Sequence, residues 1–522
     1  DKGIVIIGGG HGGAQAVASL RQEGYEGRLT LVTDEHDIPY QRPPLSKAYL
    51  KDIDHDLLPL RPQSFYDDNN IDLRLGALAT GIDPRAGTVT LASGEDVPAD
   101  RIVLATGSRA RLPPIEGLDL DGVFTLRNAD DARRIRARFT GAESVVVVGG
   151  GFIGLETAEN LVHIGFDVML IEMLDQVLPP LDKELAGLAG EYLKQHGMHL
   201  ALGDGVTAFT QLEGGGLQVE TQSGATYPAD IVILALGVRP DTTLADMAGL
   251  ELGERGGIRV DPHMRTSDPD IFAVGDAIEV RDFVTDEWSL VALAGPANRQ
   301  GRIAADVIAG RDAQYRGTQG TAIIGLFGAA AAWTGASEKI LNRLGDDDYE
   351  KIYLFPNSHA GYYPGAKMLG MKVIFRKSDG GLLGAQALGE DGSAVDKRIS
   401  AMAVAIQMGA TVYDLEESEL CYAPQFGSAK DAVNYAGMVA ADVLRGDMPL
   451  AHWGDADDVF LLDVREPAER VVENVPGAMS IPLPQLRARL GELPQDREIQ
   501  VFCRSAQRAY YATRILLQNG YK

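Results

Sequence analysis

The sequence reads as an α/β protein whose first half is duplicated. Two glycine-rich turns of the form GxGxxG carry that reading. The first is Gly8-Gly9-Gly10-His11-Gly12-Gly13, after the apolar run at 3–7; the second is Gly149-Gly150-Gly151-Phe152-Ile153-Gly154, after 145–148. Each follows a buried-type strand and opens a helical pattern, the setting that places a dinucleotide pyrophosphate on a helix N-terminus. A repeated closing strand supports the duplication. It is Asp100-Arg101-Ile102-Val103-Leu104-Ala105-Thr106-Gly107 in one half and Ile231-Val232-Ile233-Leu234-Ala235-Leu236-Gly237 in the other. Two Rossmann-like units in one chain imply two dinucleotides face to face, usually a flavin reduced by a nicotinamide.

Bulk composition narrows the possibilities. A chain of 522 residues should hold about three or four domains. The formal net charge of −26 argues against non-specific nucleic-acid binding and against an anionic membrane surface. No apolar run approaches the roughly 18 residues that a transmembrane helix needs. The chain opens directly on a core strand, with no signal-peptide pattern. Only Cys421 and Cys503 occur, so a disulfide framework is not expected and a reducing, cytoplasmic setting is. No Cys/His cluster has metal-ligand spacing, and no metal is expected.

The elements follow in order. Residues 1–110 alternate strands and helices. Gly8, Gly10 and Gly13 allow the tight turn and the close approach of backbone to pyrophosphate. Asp34, at the end of the strand 29–33, stands where an acid holds a ribose hydroxyl. Residues 113–240 repeat the plan with Gly149, Gly151 and Gly154. Glu172 ends the strand 168–171. An acid there accepts from a ribose 2′-OH and repels a 2′-phosphate, and no arginine occurs among Met173, Leu174 and Asp175, so NADH is expected over NADPH. Ile271-Phe272-Ala273-Val274-Gly275-Asp276 reads as a strand closing on Gly-Asp. Near 320 the texture becomes small-residue and strand-rich, with Tyr362 and Tyr363, and reads as an α+β domain running to about 446. Residues 447–458 are polar, include Gly454, and read as a linker. A short α/β unit follows from Val459. The expected division is 1–112 with 241–320, then 113–240, 321–446 and 452–522.

With these residues in view, the chain resembles the pyridine nucleotide–disulfide oxidoreductases, glutathione-reductase-like flavoproteins with FAD at the first site and NAD(P)H at the second. Ala105-Thr106-Gly107 and Ala273-Val274-Gly275-Asp276 resemble two further FAD-domain signatures, which implies that Asp276 contacts the ribityl chain. The resemblance also implies cofactor contacts at Gly12, Arg42, Lys47, Ala79, Arg127, Phe152, Ile153, Gly237, Ala294 and Tyr422. From about 120 to 446 the chain is similar to the coenzyme A–disulfide reductase branch, which includes NADH-dependent persulfide reductases. The segments that carry this are Glu172-Met173-Leu174-Asp175-Gln176-Val177-Leu178-Pro179 and Leu293-Ala294-Gly295-Pro296-Ala297-Asn298-Arg299-Gln300-Gly301-Arg302. His359-Ala360-Gly361-Tyr362-Tyr363-Pro364-Gly365-Ala366 and Tyr422-Ala423-Pro424-Gln425-Phe426-Gly427-Ser428-Ala429-Lys430-Asp431 add to it. That branch implies an α+β dimerisation domain and a homodimer in which tyrosines matching Tyr362 and Tyr422 reach the other subunit's active site. It implies contacts to a coenzyme A-type substrate at Asn298, Arg302 and Lys430.

Residues 1–110 resemble something else. The coenzyme A branch carries its redox cysteine in a motif like Asn-Cys-Gly-Leu-Pro. Here the stretch is Tyr40-Gln41-Arg42-Pro43-Pro44-Leu45-Ser46-Lys47, with Pro43 at the cysteine position. It is similar to oxygenase-coupled ferredoxin reductases, in which a lysine matching Lys47 approaches the flavin N5 edge and pairs with a glutamate matching Glu156. Without a thiol there is no mixed disulfide with a thiol substrate.

Leu461-Leu462-Asp463-Val464-Arg465-Glu466 followed by Val475-Pro476-Gly477-Ala478 resembles a rhodanese-like α/β domain. Its active loop would be Cys503-Arg504-Ser505-Ala506-Gln507-Arg508, with Arg504 and Arg508 expected to stabilise a thiolate and a persulfide on Cys503. The leading expectation is an NADH-dependent FAD oxidoreductase passing hydride to FAD and then to a sulfur acceptor, with Cys503 as persulfide carrier. Two alternatives stay open: a reductase feeding a small redox protein or oxygen, as Pro43 suggests, and a flavin-bound redox sensor.

Overall fold

The computed structural model describes residues 2–51, 57–391, 393–453 and 459–522. The chain divides into two compact units, Asp1–Gly320 with Ile324–Phe327 and Thr321–Ile323 with Gly328–Lys522.

The first unit contains the duplication. One parallel sheet has the order Ile271–Ala273, Arg101–Leu104, Ile4–Ile7, Leu29–Val32, Ile71–Arg74. The other has the order His199–Leu202, Asp167–Glu172, Ser144–Val148, Ile231–Leu234, Val123–Thr125. In each, the glycine turn leaves a central strand, Ile4–Ile7 or Ser144–Val148. Every residue of Ile4–Ile7 and of Ile231–Leu234 is buried, as expected for parallel strands covered on both faces.

The two turns also match in detail. Gly8 and Gly149 both have a φ of +114°, a backbone that side chains avoid. A Cβ on Gly13 would overlap the Gly8 carbonyl oxygen, and one on Gly154 the Gly149 carbonyl oxygen. The third glycine of each motif is therefore required by packing of helix on strand. The helix His11–Gln22 also lies against Ala294–Ile308 at near-backbone distance, because a Cβ on Gly301 would overlap the Gly12 carbonyl oxygen.

In the second unit, the antiparallel strands Ala329–Gly335, Leu382–Glu390, Leu369–Arg376 and Tyr349–Leu354 follow one another across a sheet. The helices Val395–Gln407 and Ala432–Arg445 accompany it. Arg398, buried, joins the two helices by donating to both carboxylate oxygens of Asp431 at 3.2 and 2.8 Å. Further along, Met479–Ser480, Phe460–Asp463 and Ile499–Phe502 form a parallel sheet, and the helix Gln507–Gln518 follows. That helix is tied to the end of Ala432–Arg445: the Arg514 guanidinium donates to the Asp447 carbonyl at 2.5 Å and the Tyr510 hydroxyl to Asp442 at 3.4 Å. Of the expected linker 447–458, residues 454–458 lie outside the described residues. Just before them, His452 bonds Glu350 at 2.9 Å. Among the described residues, no helix is long and apolar enough to cross a membrane, and no group of three or more His, Cys, Asp or Glu could hold a metal ion.

Candidate active sites

Gly10 and Gly151 are the N-caps of His11–Gln22 and Phe152–His163, and neither supplies a side-chain cap. A helix N-terminus with no side-chain cap suits an anion. The space in front of them is open. A Cβ on Gly10 would come no nearer than 3.7 Å, to the Arg42 Nε, and one on Gly151, Gly107, Gly237 or Gly295 would meet nothing within 4 Å. These cradles fit two dinucleotides.

Around the first cradle the sequence-predicted residues form connected groups. Arg42 pairs with Glu35, whose other oxygen accepts from the Tyr40 hydroxyl at 2.7 Å. That hydroxyl in turn accepts the Ala129 amide at 2.9 Å. Burial pushes the Tyr40 phenol well above its usual range. Asp34 is exposed, and Glu35 beside it is the acid held in this network. His11 opens the helix, bonds Gln41 at 3.2 Å, and is lowered from the ordinary histidine range by burial. Asp276 accepts from Ser108 Oγ at 2.9 Å and from Arg127 Nη2 at 2.7 Å. The Gly275 amide donates to Gln300 at 2.8 Å. Thr106 Oγ1 donates to the Asp241 carbonyl at 2.6 Å. Ala79 and Ala105 are buried, and Ala294 begins its helix half-buried.

Pro43 and Pro44 begin the short 3-10 turn Pro43–Ser46, where fixed φ and missing N–H suit an N-terminus. The turn delivers Lys47 to Glu156 on the second glycine-turn helix: Lys47 Nζ lies 2.7 Å from Glu156 Oε2 and 3.1 Å from the Pro43 carbonyl. Ser46 Oγ donates to the same carboxylate oxygen at 2.6 Å, and Asn160 Nδ2 holds the Ser46 carbonyl at 3.0 Å. At the second cradle, Phe152 and Ile153 are half-buried. Glu172 accepts the Gly150 amide at 2.6 Å and the Leu174 amide at 2.8 Å. The acid that ends the strand therefore also pins the glycine turn.

Asn298 is half-buried in Ala294–Ile308, and Arg302, one turn on, is exposed and 3.4 Å from Asp306. In the second unit the exposed Tyr362 and Tyr422 hydroxyls are 3.3 Å apart, which raises the Tyr422 phenol. Lys430 is exposed beside the buried Asp431, and Cys421 is exposed.

Cys503 follows the strand Ile499–Phe502, and its sulfur accepts the Ala509 amide at 3.4 Å from the first turn of Gln507–Gln518. Ala506 takes a φ of +69° to make that turn. Arg504 is exposed. The Arg508 guanidinium is held by both oxygens of Glu469 at 2.6 and 2.7 Å and also lies within electrostatic reach of Cys503. The carboxylate offsets part of the charge that Arg508 brings to the sulfur. Sequence reasoning missed Glu35, Ser46, Gln300 and Glu469. Ser46 and Gln300 stand inside the quoted Tyr40–Lys47 and Leu293–Arg302 segments, Glu35 follows Asp34, and Glu469 lies three residues past Glu466 of the quoted Leu461–Glu466 stretch; no spacing marked any of the four as a partner.

Residues 2–301 match the family described as pyridine nucleotide-disulphide oxidoreductase. The chain belongs to that family. Residues 322–433 match its dimerisation domain and 450–522 a rhodanese-like domain. The reduced CoADR-RHD of Bacillus anthracis is similar over 100% of this chain and 96% of its own, with a TM-score of 0.95 and 40% identity. A NAD-dependent persulfide reductase from A. fulgidus is similar over 100% and 97%, with a TM-score of 0.93 and 34% identity. Rhodocoxin reductase of Rhodococcus erythropolis is 39% identical over 320 residues, 60% of this chain and 73% of that protein. As a pyridine nucleotide-disulphide oxidoreductase, the protein is an FAD-containing, NAD(P)H-dependent enzyme, here fused to a rhodanese-like domain.

Proposed function

We propose that this protein is an NADH-dependent reductase of sulfane sulfur in which Cys503 carries the persulfide delivered for reduction. The observation that carries the reading is Cys503 at the head of the helix Gln507–Gln518, on a chain that also bears two dinucleotide cradles. The whole-length likeness to a persulfide reductase supports the sulfur acceptor. The segments around Asn298, Arg302, Tyr422 and Lys430 make a coenzyme A persulfide the preferred form. The net reaction converts NADH and R–S–S⁻ to NAD⁺, RS⁻ and HS⁻: the electron pair cleaves the S–S bond and a proton completes the released HS⁻.

FAD, when bound, relays the electron pair between nicotinamide and acceptor. Gly8, Gly10, Gly13 and the amides that follow them would hold its pyrophosphate, and Asp276 with Arg127 the adjoining polar chain. Gly149, Gly151, Gly154 and Glu172 would hold NADH, with Glu172 disfavouring a 2′-phosphate. Lys47, fixed in position by Glu156, would supply the cation that a reduced flavin calls for. Pro43 offers no thiol, so sulfur is reduced without a protein mixed disulfide at that position. The matched dimerisation domain supports a homodimer, with Tyr362 and Tyr422 serving the other subunit's site. The two free cysteines suit a cytoplasmic setting.

An acceptor screen with NADH tests this. Coenzyme A persulfide should outpace coenzyme A disulfide, ferredoxin and oxygen, and anaerobic NADH should bleach the flavin without a long-wavelength thiolate band. Turnover that depends on added ferredoxin would instead favour an electron-transfer reductase, the reading that the Pro43–Ser46 turn favours.

A further inference from the structure

We propose that Glu469 selects the sulfur donor of the Cys503 loop: by holding Arg508 it disfavours donors that expel a compact dianion, such as thiosulfate, and favours organic persulfides, whose leaving thiolate carries a single charge at the reacting end. This rests on the reading of Cys503 as sulfur carrier.

The geometry is a closed clamp. Arg508 Nη1 and Nη2 donate to Glu469 Oε2 and Oε1 at 2.6 and 2.7 Å. Glu469 Oε2 also accepts the Glu466 amide at 2.9 Å, so the carboxylate is fixed to the start of the helix Pro467–Val472. Bidentate pairing of this kind fixes the guanidinium in direction as well as in place. It also offsets the unit charge of a guanidinium that interacts electrostatically with Cys503. The other arginines of this region do not replace it. Arg465 is bonded to Asp463 at 2.9 Å, and Arg470 lies 3.6 Å from the same carboxylate. Glu466 and Glu473 add negative charge nearby. Arg504, exposed on the loop, is left to meet the donor.

Donors differ in the charge they bring to a thiolate. With thiosulfate, the Cys503 thiolate attacks the outer sulfur, the S–S bond breaks, and sulfite leaves as a dianion with the electron pair. With an organic persulfide, the same attack on the outer sulfur expels a thiolate of single charge. Both leave Cys503 as a persulfide, but only the first needs two added negative charges held at the loop. Backbone amides together with Arg504 suit the second case, since like charges brought close in a partly desolvated site repel strongly.

The test measures sulfur transfer to cyanide by the full-length, FAD-loaded protein, with thiosulfate and with glutathione persulfide as donors. Glu469→Gln frees the Arg508 charge. It should raise kcat/KM for thiosulfate roughly tenfold while persulfide transfer stays within about twofold. Glu469→Asp should keep the wild-type donor ratio, and so should the paired change Glu469→Gln with Arg508→Gln, which leaves the net charge unaltered. A merely structural role would lower both donors together; that result, or an unchanged ratio in Glu469→Gln, overturns the proposal. Wild-type protein that transfers sulfur from neither donor, or a Cys503→Ala variant that still does, overturns the carrier reading itself.

Discussion

Gly13 and Gly10 share one turn and should respond in opposite ways to a methyl group. A Cβ on Gly13 would overlap the Gly8 carbonyl oxygen, whereas one on Gly10 would clear every neighbour by 3.7 Å. Gly13→Ala should destabilise the first unit by about 1–3 kcal/mol, seen as a lower Tm. Gly10→Ala should leave Tm in place and reduce bound flavin, read from visible absorbance. Glu469 shows pH dependence at the same scale. Its carboxyl is held at about 2 by the Arg508 side chain and the Glu466 amide. A carboxyl with a lowered native value stabilises the fold above its unfolded range and loses that stabilisation as pH falls. Thermal melts should therefore weaken between about pH 4.5 and 2, and Glu469→Gln should flatten that slope. The glycines were legible because their spacing is local. Glu469 was not, because its partner lies across a separate strand and helix.

Elements in the second unit are joined by a buried ion pair. Asp431 caps Ala432–Arg445 by accepting the Val433 amide at 3.1 Å, and Asn434 returns the bond to complete a capping box. Arg398, from Val395–Gln407, holds the Asp431 carboxylate and also the Ser358 carbonyl at 2.6 Å. One side chain thus joins both helices and the loop that leads toward Tyr362. Asp431→Asn leaves the Arg398 charge buried and should cost about 3–5 kcal/mol, measurable by urea unfolding. An Asp before an apolar helical pattern is a recognisable cap. Its ion-pair partner is not recognisable, since nothing in the spacing distinguishes Arg398 from a solvated helix arginine.

Across the first unit, the two dinucleotide halves are latched by charge. Lys47 meets Glu156 and Arg127 meets Asp276, at 2.7 Å in each case. These pairs link residues that the two halves contribute separately, so each reports on alignment of the halves. Glu156→Gln should slow NADH-driven flavin reduction by roughly tenfold with flavin content unchanged, as stopped-flow absorbance would show. The sequence by itself determined the duplicated parallel sheets, the two cradles, the later α+β and rhodanese-like segments and the missing thiol at Pro43. All of these are written in local periodicity, glycine placement or a single residue type. The pairing of Lys47 with Glu156 was implied by resemblance and is seen at 2.7 Å; the tertiary structure alone decided that Glu172 pins its own glycine turn and that Arg508 is clamped by Glu469. Charge pairing depends on distance in space, and in a folded chain that distance is set by packing, not by separation along the sequence.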